Sequence, residues 1–60
     1  MDPNQALAAA RHASANFTVG VDTNAPTEDL LRFAATLAEH FDALDEWISD
    51  GGFLPAAWQR

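Results

Sequence analysis

Thr27–Gly52 reads TEDLLRFAATLAEHFDALDEWISDGG, and its apolar residues recur at helical spacing. Leu30, Ala34, Leu37, Phe41, Leu44 and Ile48 step by four, three, four, three and four, a stripe that a helix of about 3.6 residues per turn places on one face and a strand cannot. Phe33, His40 and Trp47 flank it on one side, and Leu31, Ala38 and Asp45 on the other. That sector is wider than a two-stranded seam requires, so one neighbouring helix leaves part of it uncovered. The back of the helix carries Glu28, Arg32, Glu39, Asp42, Glu46 and Asp50, with Glu28 and Arg32 in the favourable i, i+4 order. Glu28 and Asp29 suit the positive end of the helix dipole, and Gly51-Gly52 supply a stop that lets the chain reverse.

Upstream, Asp2-Pro3-Asn4-Gln5 has the form of a capped helix start, with Asp2 as N-cap, Pro3 in the first turn and Gln5 positioned for a capping box. An alanine-rich helix over 3–16 is expected, with Leu7, Ala10, Ser14 and Phe17 forming a narrow small-residue face. Residues 17–26, with β-branched Thr18, Val19 and Val21, Gly20 and the turn formers Asp22-Thr23-Asn24, read as a connector. The second helix is expected over 25–50, capped by Asn24 or Thr27, and a short helical turn over 55–59. The fold class is therefore all-α: a two-helix hairpin in one small domain, 1–60, whose apolar tail, 51–60, packs on the second helix and closes the core.

A chain of 60 residues buries only about 60% of the surface its unfolded form exposes. Without cysteine, and with two histidines, it has neither a disulfide nor the ligands of a structural zinc site. Self-association is the remaining route to a larger core, so pairing into a homodimeric helical bundle is expected. The residues assigned to core or interface are Leu30, Phe33, Leu37, Phe41, Leu44, Trp47, Ile48, Phe53, Leu54 and Trp58. Truncation of Leu37 or Phe41 to alanine is then expected to cost about 2–5 kcal/mol.

The net charge is −6, with three arginines and no lysine, and residues 26–60 hold seven of the nine acids. A phosphate backbone or an anionic membrane is not a partner for such a surface. No cationic segment precedes a long apolar run, so no signal peptide or membrane span is read and the cytoplasm is the expected compartment.

The segment Phe41–Trp58, FDALDEWISDGGFLPAAW, resembles the C-terminal signature of short proteins of actinobacteria and of the bacteriophages that infect them. Phe41, Leu44, Asp45, Trp47, Gly51, Gly52, Phe53, Leu54, Pro55 and Trp58 carry the likeness, which spans under a third of the chain. It implies a small cytoplasmic, phage-encoded protein and transfers no catalytic residues.

No residue set points to catalysis, a metal or a cofactor. Glu39, Asp42 and Glu46 share a face, but His40 lies about 100° away and no inward Glu-x-x-His pair exists; the acids read as a solvated face. His12 faces solvent and His40 sits at the edge of the apolar sector, neither beside a nucleophile. Asp45 is the polar group the pattern places inside the apolar sector, where a buried carboxylate requires a partner: an indole N–H, Arg11 or a second chain. Its expected role is to orient the tail or set register at an interface. The function expected is that of a protein-binding module, not an enzyme, acting as a phage accessory protein on a host protein. The alternatives are an acidic nucleic-acid mimic presenting Glu39, Asp42, Glu46 and Asp50 to a DNA-binding protein, or a minor assembly component.

Overall fold

The computed structural model covers residues 1–60 and holds two antiparallel helices, α1 (Pro3–Asp22) and α2 (Thr27–Ser49), followed by a single 3-10 turn, Ala56–Trp58. The molecule measures 39 × 20 × 13 Å. A helix with its side chains is about 10–12 Å across, so the hairpin is one layer thick. Its radius of gyration of 12.9 Å exceeds the roughly 10.4 Å of a compact domain of this length.

α1 starts as expected. The Asn4 and Gln5 backbone N–H groups donate to Asp2 Oδ1 at 2.9 and 3.4 Å, and Pro3 occupies the first turn. Its end is different: α1 continues through Phe17–Asp22, six residues beyond the expected boundary, and the connector shrinks to Thr23–Pro26. Two causes are visible. Gly20 is buried against α2, where an added Cβ would stand 2.7 Å from Leu30 Cδ2 and 3.9 Å from Phe33 Cε2. This close helix approach outweighs the weak helix propensity of Thr18, Gly20 and the valines. The stop is Asn24, in the left-handed region at φ 57°. Around it Ala25 N–H donates to Gly20 O at 2.8 Å and Asn24 N–H to Val21 O at 3.4 Å, the paired bonds of a Schellman closure.

α2 ends in the same way. Gly51 has φ 92°, while Gly52 N–H donates to Trp47 O at 2.8 Å and Gly51 N–H to Ile48 O at 3.1 Å. At its start neither Asn24 nor Thr27 caps by side chain; the N-cap is Pro26, whose carbonyl accepts from Asp29 and Leu30 N–H at 3.0 and 3.2 Å.

The core is small. Ala6, Leu7, Ala10 and Ala13 of α1 are buried, and of α2 only Leu44, with Ile48 packed beside Ala6, Leu7 and Leu44. Alanines on α1 bring the helices together closely but contribute little apolar area each. Pro3 and Pro55, absent from the expected core, are the most completely buried side chains. The tail accounts for Pro55. Trp47 Nε1–H donates to Phe53 O at 3.0 Å and its ring meets Phe53 edge-on at 5.5 Å. The chain then crosses to α1, where Ala56 N–H donates to Asn4 Oδ1 at 2.6 Å. The tail thus bridges the ends of both helices instead of lying along α2 alone.

Candidate functional site

No three His, Asp or Glu side chains converge on a point that would hold a metal ion. The features that remain are surfaces, and each is set by how much of α2 a single neighbour covers.

α1 covers the Phe33–His40–Trp47 side of the stripe and leaves the Leu31–Ala38–Asp45 side open. Of the ten residues expected in a core or interface, Leu44 is buried and Leu30, Phe33, Leu37, Trp47 and Ile48 are half-buried. Phe41, Phe53, Leu54 and Trp58 are exposed, Phe41 by 60%. The expected 2–5 kcal/mol for Phe41→Ala therefore does not apply within one chain, because truncating an exposed ring removes few contacts. Asp45 is exposed as well, not enclosed. It lies on the flank α1 does not reach, so it needs no buried partner. Leu31, read only as a flank of the stripe, is the most exposed large apolar residue of the chain at 65%.

Glu39, Asp42, Glu46 and Asp50 are all exposed. The expected Glu28–Arg32 pair is replaced by Asp29–Arg32, at 2.6 Å between Asp29 Oδ1 and Arg32 Nη2, in i, i+3 geometry. It is the only ion pair, so the four back-face acids carry uncompensated charge. His12 is exposed and His40 half-buried.

Where α1 meets α2 on the Phe33 side, an open groove of about 840 Å³ runs along the hairpin, lined by His12, Asn16, Arg32, Phe33 and Thr36 among others. Arg32 is already engaged by Asp29, and His12 stands exposed on the α1 wall.

No helix is long and apolar enough to cross a membrane. No protein-family model, no curated protein and no solved structure matches this chain.

Proposed function

We infer that this chain is a small helical protein-interaction module. The observation that carries the reading is the distribution of apolar surface: Leu31 and Phe41 stand exposed on α2, and Phe53, Leu54 and Trp58 on the tail that follows it. Solvent-facing aromatic and leucine side chains are the material from which binding hot spots are made. The signature over Phe41–Trp58 supports a phage accessory protein that engages a protein of an actinobacterial host in its cytoplasm.

Affinity capture from actinobacterial lysate tests this, with the wild type beside Trp58→Ser and a quadruple variant carrying the amides of Glu39, Asp42, Glu46 and Asp50. Expected is one discrete protein retained by the wild type and by the amide variant, and lost with Trp58→Ser. Retention that disappears with the amides and at high salt would instead favour mimicry of nucleic acid, which depends on screened charge. Empty eluates at every salt concentration would overturn the module itself.

A further inference from the structure

Exposed apolar residues gather on one side of the hairpin. The contact line between the helices is marked by Ala6, Ala10 and Ala13 on α1 and by Leu37 and Leu44 on α2. Turning from that line at about 100° per residue, in the sense in which the chain advances, leads to the same side of both helices because they are antiparallel. On α1 this side holds Ser14, Thr18 and Val21, with Phe17 on the contact line itself; on α2 it holds Phe41, Ala34, Ala38 and Leu31 around the exposed carboxylate of Asp45. Phe17, Val21, Leu31 and Phe41 are 37, 51, 65 and 60% exposed. The tail meets α1 at one end of the hairpin, through the bond from Ala56 N–H to Asn4 Oδ1.

We propose that a second copy of this chain covers this side, α1 of one copy lying over α2 of the other in a two-fold four-helix bundle. The proposal rests on the reading of the chain as an interaction module and names one surface and one occupant for it. Area supports it first. The chain exposes 4358 Å², whereas a compact monomer of its mass exposes about 3,800 Å². A stable complex covers roughly 800 Å² per partner, and this is the side on which exposed apolar residues of both helices lie together.

Charge and shape select the arrangement. Leu7 packs with Leu44, and Gly20 stands against Leu30, so residues facing each other along the hairpin have numbers summing to 50 or 51. A two-fold axis parallel to the helices preserves these levels. It sets Phe41 of one copy over Ser14 of the other, and Leu31 over Thr18 and Val21. Large residues meet small ones. It also brings Arg11, the one arginine of α1, toward Asp42 and Asp45 of the other copy's α2. An axis across the helices would instead lay α2 on α2. That helix holds six acids and one arginine, so laying it on its own copy brings like charges together, which disfavours the packing.

Sedimentation equilibrium of the wild-type chain should give twice the 6.5 kDa chain mass. Leu31→Ser and Phe41→Ser should each weaken the dimer about tenfold or more, and Val19→Ser, an exposed valine on the outer side of α1, should leave it unchanged. Arg11→Glu should weaken association, and adding Asp42→Arg should recover most of it. Because serine variants can lose helix, the wild type is also read directly. In a half-labelled sample, intermolecular nuclear Overhauser effects are expected between the Leu31 methyls and the Thr18 and Val21 methyls. A monomer at about 1 mM, where even a weak complex forms, would overturn the proposal, and captured host protein would then leave the interaction module standing. A dimer indifferent to Leu31 and Phe41, or with intermolecular contacts on the His12 side, would overturn the assignment of this surface.

Discussion

Glycines mark where single residues decide this fold, and for different reasons. At Gly20 the constraint is space: Leu30 Cδ2 would lie 2.7 Å, and the Ala25 methyl 3.4 Å, from an added Cβ. Gly20→Val is therefore expected to destabilise by about 1–3 kcal/mol through overpacking, despite valine's better helix propensity. Urea denaturation followed by circular dichroism checks it, and an unchanged midpoint would show that the helices have room to spare. At Gly51 the space is open, with nothing within 4 Å of an added Cβ, but φ is 92°. Gly51→Ala should cost about 1–2 kcal/mol for the left-handed backbone alone. Asp45 and Phe41 illustrate the opposite case. Both lie at positions a helical wheel assigns to the apolar sector, and both are exposed, because one covering helix shields only part of that sector.

Among the elements, α1 depends on its ends. Asp2 accepts from both Asn4 and Gln5 N–H, and Asp2→Ala should cost about 1 kcal/mol, with amide exchange accelerated in the first turn and little changed near Gly20. The tail is anchored at the same place, through Asn4 Oδ1 to Ala56 N–H and through the Trp47 indole to Phe53 O. Asn4→Ala removes the first anchor without touching the Asp2 cap bonds. Tryptophan fluorescence should then shift to the red as Pro55 loosens and Trp47 gains water, while helix content stays close to that of the wild type. A coupled loss of α1 helicity would mean that the tail and the cap form one cooperative unit.

For the whole molecule, thickness is the governing quantity. A single layer of two helices, 13 Å through, offers each side chain one neighbouring helix and then water, so burial cannot extend in the third direction. Thermal unfolding reads the consequence. If a second copy supplies the missing layer, the midpoint should rise with chain concentration, by several degrees between micromolar and millimolar, and Leu31→Ser should abolish that dependence. Much of the architecture is legible in the amino-acid sequence alone. The Leu30–Ile48 stripe specified α2, Asp2-Pro3 specified the start of α1, and Gly51 specified the end of α2, because periodicity, capping and left-handed backbone are local properties carried by neighbouring residues. Tertiary structure decided the rest: that α1 runs on to Asp22 because Gly20 lets Leu30 approach, that the tail crosses to Asn4, and that Leu31, Phe41 and Asp45 face outward. Each of these depends on which side of one helix another comes to rest against, and that side is chosen by packing between residues far apart in the chain, which local sequence does not record.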